Sequence, residues 1–170
     1  MDFETLEIAE YGISTRIPSG FVRMPEQYAK AKYLVETRPK YIYSDAVYDT
    51  SLGFNYTEQP VEEHQLEELK DAMKEMIRTM QPTANWMEHG IKFVHGKQVG
   101  YFTFSAPGIG GKLFTLMYFT SLKGKLLLCN FNCNDKERRI WMPIALGMMG
   151  NLQIMDQERG TNDGDQTDYI

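Results

Sequence analysis

The densest alternation of hydrophobic and polar positions lies between residues 90 and 133. Four runs rich in aromatic and β-branched residues stand out there, over 91–94, 98–105, 113–121 and 125–133. Such side chains suit a pleated, half-buried surface, so each run is read as a strand. His95-Gly96 and Lys123-Gly124 are two-residue connections, and their glycines supply the positive φ of a tight hairpin. The span 106–111 is read as a glycine-rich loop. Hairpin connections make this part of the sheet antiparallel. In the last run Leu127, Cys129 and Phe131 alternate with Leu128, Asn130 and Asn132. That pattern predicts one face packed on a helix and one partly wet. Tyr101, Phe102 and Phe104 place bulk on both faces of the second run. Its strand is expected to be covered on both sides, or to leave an apolar patch for a partner.

Upstream, Ile13, Thr15 and Ile17 alternate with Ser14 and Arg16, which predicts a strand over 11–17. Pro18-Ser19-Gly20-Phe21 ends it as a turn. Residues 22–36 allow a short helix through Tyr28, Ala31, Lys32 and Val35, closely bounded by Pro25 and Pro39. Residues 41–44 and 53–57 read as two strands, with Asp49-Thr50-Ser51 as the turn between them. The clearest helix spans 60–81, where Leu66, Leu69, Met73, Met76, Ile77 and Met80 recur at spacings of three and four. Pro60 suits its first position, Glu62 and Glu63 suit the positive end of its dipole, and Arg78 suits the other end. Pro82 stops it. Glu67, Lys70, Asp71, Lys74 and Glu75 are assigned to its solvated face. Asn134-Asp135 can cap a second helical region, which Pro143 divides into a turn over 136–141 and a helix over 143–150. Residues 151–154 read as a last short strand.

These elements predict an α+β fold: an antiparallel β-sheet of about six strands flanked by helices. A chain of 170 residues can bury a sizeable core as one domain. Residues 1–155 are read as that domain. Residues 156–170 are read as an acidic, disordered tail, with five acids against Arg159 alone. The formal net charge is −5, so the body without the tail is nearly neutral. No basic stripe is present, which argues against a nucleic-acid partner. No apolar run approaches the roughly 18 residues of a membrane helix, so membrane insertion is not expected. The start of the chain, Met1-Asp2-Phe3-Glu4, lacks a basic segment followed by an apolar run. A cytoplasmic location is therefore expected if the chain is full length.

Candidate chemistry is sparse. Cys129 and Cys133 lie four apart on one strand, which separates their Cα atoms by roughly 13 Å. A disulfide needs less than about 7 Å, so both are expected as free, buried thiols. His64, assigned to the helix, and His89 and His95, beside a strand, form no ligand pair, and no metal site is expected. The run Pro107-Gly108-Ile109-Gly110-Gly111-Lys112 lacks the Gly-Lys-Ser/Thr ending of a phosphate loop and leads into a strand. Paired acids such as Glu62-Glu63 and Glu67-Glu68 fall on the solvated helix face. No catalytic residue, cofactor or metal ligand is assigned.

The order of elements resembles the PsbP-like superfamily. The residues that carry the likeness are the strand ending in Pro18-Ser19-Gly20-Phe21, the helix over 66–80, the meander over 97–131 and the closing helix and strand over 141–154. The resemblance implies an α/β/α sandwich whose members mostly bind other proteins and are not established enzymes. It carries no site residues across, because the family has no shared site. The leading expectation is a non-catalytic protein-binding or chaperone-like module with another protein as partner. Trp86, Tyr101 and Trp141 are the candidate binding residues. The second is a small apolar ligand held between the sheet and the Met-lined helix. The third is an unrecognised hydrolase. Oligomeric state is not legible.

Overall fold

The computed structural model describes residues 1–33 and 38–155. The expected tail and Val35 of the expected first helix lie outside the described residues. In chain order the strands β1 (Phe3–Ile8), β2 (Ile13–Pro18) and β3 (Val22–Arg23) precede helix α1 (Glu26–Lys32). Strands β4 (Tyr41–Ser44) and β5 (Ser51–Pro60) lead to helix α2 (Leu66–Met80). Then come β6 (Asn85–Val94), β7 (Lys97–Gly108), β8 (Gly111–Leu122) and β9 (Lys125–Asn134). Helix α3 (Arg138–Gly150) and β10 (Gln153–Ile154) follow.

The expected sheet is present with seven strands, in the order β3-β4-β5-β9-β8-β7-β6, and every pairing is antiparallel. A second sheet, β1-β2-β10, joins the two ends of the described chain. The β6–β7 and β8–β9 turns are as expected: His95 and Gly96 both have positive φ (48° and 82°), as do Lys123 and Gly124 (53° and 80°).

Alternation along the strands sends two sets of side chains to opposite faces. On one face Leu52, Phe54, Leu116, Tyr118, Cys129 and Phe131 meet Ile13 and Ile17 of the small sheet, and Ala145, Met148 and Met149 of α3. The Thr15 hydroxyl donates to the Met148 carbonyl at 2.8 Å and ties β2 to α3. On the other face Leu66, Leu69, Met73 and Ile77 of α2 pack on Phe102, Phe104, Phe119 and Leu126. Ala29 of α1 packs beside Met24 and Ile42 on the same side. Each fully buried Leu or Phe contributes about 1.5–3 kcal/mol relative to exposure. The layers are helix, sheet and helix, and on the α2 face Leu128 and Asn130 are half-buried, Leu128 packing against the α2 cluster.

Several expectations are corrected. The stripe of α2 is rotated from the expected one. Met76 and Met80 are exposed, whereas Lys70 is only 2% exposed. Its ammonium donates to Glu67 at 3.0 Å and to His89 Nδ1 at 3.1 Å, so the aliphatic stem lies in the core and the charge is still paired. Pro60 ends β5 and does not open the helix. β4 reaches only Phe54 along β5, so the missing N–H of Pro60 faces an open edge. His64 lies in the 3₁₀ turn Glu63–Gln65 ahead of α2. Pro143 is inside a continuous α3. It sits on the exposed side, where the freed Arg139 carbonyl can take water, while Ala145, Met148 and Met149 hold the helix to the sheet. The glycine-rich loop is only a tight turn at Ile109-Gly110, because β7 and β8 remain paired out to Gly108 and Gly111. β1 and the first half of β6 carry no counterpart in the expected strands. The two cysteines are free and buried, as expected.

Two outcomes follow from the packing. Lys70→Met keeps the stem and removes a buried charge, so its stability is expected within about 1 kcal/mol of the parent, whereas Lys70→Ala also opens a cavity and costs about 2–3 kcal/mol. Urea titration of the two variants distinguishes them, and equal losses would refute the stem-packing role. The Tyr118 hydroxyl is fully buried without a hydrogen bond of normal geometry, its polar neighbour being the Cys129 thiol across the strand pair. Tyr118→Phe removes an unpaired polar atom and is expected to stabilise the fold by about 1 kcal/mol. A lowered urea midpoint would contradict this.

Candidate binding cleft

Three chain segments meet at one end of the large sheet: α1, the β4–β5 loop and the tip of the β7–β8 hairpin. The loop is shaped by Asp45, whose carboxylate accepts from the N–H groups of Asp49 (3.0 Å) and Thr50 (3.3 Å). This is the local turn chemistry that aspartate favours. Tyr48 takes positive φ (62°) within it. Its ring stacks on Tyr28 of α1, with centroids 4.4 Å apart.

Beneath the stack lies a polar clamp. The Lys32 ammonium donates to the carbonyls of Tyr48 (3.3 Å) and Asp49 (3.2 Å) and to the Ser51 hydroxyl (3.2 Å). Burial holds this ammonium below its usual pKa, and the Asp49 and Asp45 carboxylates partly offset that. The Tyr33 hydroxyl lies 3.1 Å from Ser51 and accepts from the Asn132 amide at 3.2 Å. Burial pushes the Tyr33 phenol up. Lysine, serine and tyrosine in one cluster resemble the parts of a nucleophile site. Here Ser51 is 0% exposed, and the clamp ties α1 and the loop to β5 and β9.

Above the clamp a cleft of about 570 Å³ opens between Tyr28, Val47, Tyr48, Ile109 and Leu113. Its polar rim is Lys32, Asp49 and Asn134. Val47 is 67% exposed and Ile109 76% exposed, at the tips of two different turns. Apolar residues at two adjacent turn tips, over an aromatic floor, make a surface for an apolar group. A second cleft, of about 600 Å³, borders Arg23, Met24 and Lys40. Its cations are engaged: Arg23 donates to the Lys40 carbonyl at 3.0 Å, and Lys40 pairs with Glu10 at 2.9 Å.

The three candidate residues from the sequence do not share a surface. Trp86 is half-buried on β6, against Phe104 (4.9 Å), with Lys74 and Arg78 over its ring. Tyr101 is buried on the opposite face of the sheet. Trp141 is half-buried on α3, between Phe21 and Phe131. The cleft residues Tyr28, Val47 and Ile109 were not singled out by the sequence. For Val47 and Ile109 the signal is an apolar side chain inside a segment that otherwise reads as a connection, whereas Tyr28 lies in α1, within the short helix expected over 22–36. Between α2 and the sheet, where an apolar ligand was expected, Leu66, Leu69, Met73 and Ile77 lie in direct contact with the strands. His64, His89 and His95 stay dispersed, and no group of three potential metal ligands occurs among the described residues. No helix among them is long and apolar enough to cross a membrane.

No family model and no curated protein matches the sequence. Solved structures do match the fold. The solution structure of cyanobacterial PsbP from Synechocystis has a TM-score of 0.65 at 11% identity, covering 89% of this chain and 92% of that one. A mutant of the protein Mog1 has a TM-score of 0.61 at 11% identity, covering 93% and 98%. LpqN, involved in cell envelope biogenesis of Mycobacterium tuberculosis, has a TM-score of 0.55 at 12% identity, covering 90% and 91%. At this identity the likeness is one of fold: the chain has the PsbP-like α+β architecture.

Proposed function

We propose that this PsbP-like domain is a non-catalytic protein-binding module and that the Tyr28–Val47–Ile109 cleft receives an apolar side chain of its partner. The observation that carries this reading is the exposure of Val47 and Ile109 at two turn tips around a stacked tyrosine pair. Burying such residues only on binding is how interfaces acquire their anchor pockets, with aromatic side chains giving rigid contact area. The clamp at Lys32 fixes the loop in advance, which lowers the entropy cost of binding.

A photo-crosslinking side chain placed at Ile109 or Val47 tests the reading, with Thr79 on the exposed side of α2 as the control position. One protein crosslinked from both cleft positions and not from Thr79 is the expected result. Val47→Asp with Ile109→Asp should abolish that crosslink while leaving stability within about 0.5 kcal/mol, as exposed substitutions usually do. Equal crosslinking from Thr79, or none from the cleft, would remove the cleft as the binding surface.

A further inference from the structure

β6 is the outermost strand of the large sheet and is paired on one side only, with β7. Among the described residues no strand lies beyond β6, whose ladder with β7 is regular over residues 89–94 and bulges between Trp86 and His89. A long open edge is a template for pairing, and folds usually blunt it. Here Phe93 is 76% exposed and Ile91 half-buried.

We propose that β6 pairs antiparallel with β6 of a second copy of this chain, about a two-fold axis at Gly90, so that the sheet runs on across the dimer. Closed two-fold pairing is the commonest symmetric assembly. A two-fold axis perpendicular to a sheet keeps the faces aligned, and side chains opposite one another must share a face. The axis therefore falls on a residue, and the residue defines the register.

Charge selects among the registers. An axis at Glu88 or Lys92 sets like charges directly opposite, which is unfavourable. An axis at Ile91 leaves Lys92 opposite Gly90 and Glu88 opposite Val94. An axis at Gly90 sets Glu88 opposite Lys92 of the second copy, twice over. The two residues lie on one face, as this requires. Glu88 lies in the bulge, where its N–H donates to the Thr103 hydroxyl at 2.8 Å. Its neighbour His89 faces α2 through Lys70, so Glu88 alternates to the other face, where Lys92 lies over the Tyr101 ring at 5.3 Å. Thr103 and Tyr101 both point to the α3 face of β7. Gly90 brings no side chain to the axis, so the two backbones can approach. One strand pair buries less than the roughly 800 Å² per partner of a standard interface, so the dimer is weak and depends on concentration.

Analytical ultracentrifugation of the full chain over a concentration series tests this, with Glu88→Lys, Lys92→Glu and the double reversal. Glu88 and Lys92 are exposed, and circular dichroism verifies the fold of each variant. The wild type is expected to self-associate. Each single reversal should weaken association by roughly tenfold or more, since two attractive pairs become repulsive, and the double reversal should restore it. Amide exchange across 85–94 should slow with concentration in the wild type and not in Glu88→Lys. A wild type that stays monomeric at its highest soluble concentration overturns the proposal. So does a dimer indifferent to the reversals, not rescued by the double variant, or lacking concentration-dependent protection of β6.

Discussion

Gly100→Ala is expected to destabilise the fold by about 3 kcal/mol, the upper part of the range for overpacking a core. A Cβ at this position would lie 2.5 Å from one ring carbon of Phe119 and 2.9 Å from another. Gly100 and Phe119 are register partners on β7 and β8, and Phe119 is fully buried. The ring lies flat in the space the missing side chain leaves, between the sheet and α2. It cannot retreat, because Phe102 stands 6.0 Å from it and Leu66 packs in the same cluster. In a domain of this size about 3 kcal/mol lowers Tm by roughly 6–12 °C. Phe119→Leu in the Gly100→Ala background shortens the ring that clashes and should recover part of the loss. A double variant no more stable than Gly100→Ala would show that the clash is not the cause.

The second large effect is alkaline. Burial raises both thiols, Cys133 to about 12 against an ordinary 9.0, and Cys129 further. Below pH 9 both thiols keep their protons in the folded and the unfolded chain, and stability is unaffected. Between about 9 and 12 the unfolded chain releases protons that the folded chain holds, so stability falls as pH rises, by about 1.4 kcal/mol per pH unit for each thiol. Over the whole window Cys133 alone accounts for a loss on the order of 4 kcal/mol, a large share of a typical domain's 5–15 kcal/mol. Lys32, lowered by burial, acts in the opposite direction just below its usual 10.5, while the buried phenols of Tyr11, Tyr33 and Tyr118, all raised, add to the loss from about pH 10 upward. Urea titrations at pH 8, 9 and 10 should show the decline, and Cys129→Ala with Cys133→Ala should flatten it. An unchanged slope in that variant would assign the effect elsewhere. The same burial predicts that a thiol reagent labels neither cysteine in the native protein and both in denaturant.

The sheet was legible because its information is local. Two-residue turns and alternating runs specify the β6–β7 and β8–β9 hairpins without knowledge of anything distant. The rest depended on partners far along the chain. β1 carries Glu4, Thr5 and Glu7 and becomes a strand through pairing with β2. The rotation of α2 could not be read, because a lysine among apolar residues counts as polar in any pattern. Glu67, His89 and, at 3.9 Å, Asp71 near its ammonium explain why Lys70 can lie inward. The cleft was hidden for a related reason. Val47 and Ile109 sit in segments that read as connections, and their proximity exists only once β4–β5 and β7–β8 are folded beside α1. Trp86, Tyr101 and Trp141 were conspicuous by residue type, and size alone places such rings in or near the core.

The small sheet also has a consequence for the order of folding. Ser14 and Ile13 of β2 pair with Gln153 and Ile154 of β10, and the Met155 N–H donates to the Gly12 carbonyl at 2.7 Å. β5 waits in the same way for β9, about seventy residues later. Such non-local closures are entropically slow. During synthesis β1 and β2 emerge first but gain their lid, α3 and β10, last. The nascent chain therefore carries Ile13 and Ile17 uncovered until nearly the whole domain is out. Pulse-labelled exchange during refolding should find the β6–β9 meander protected early and β10 protected last.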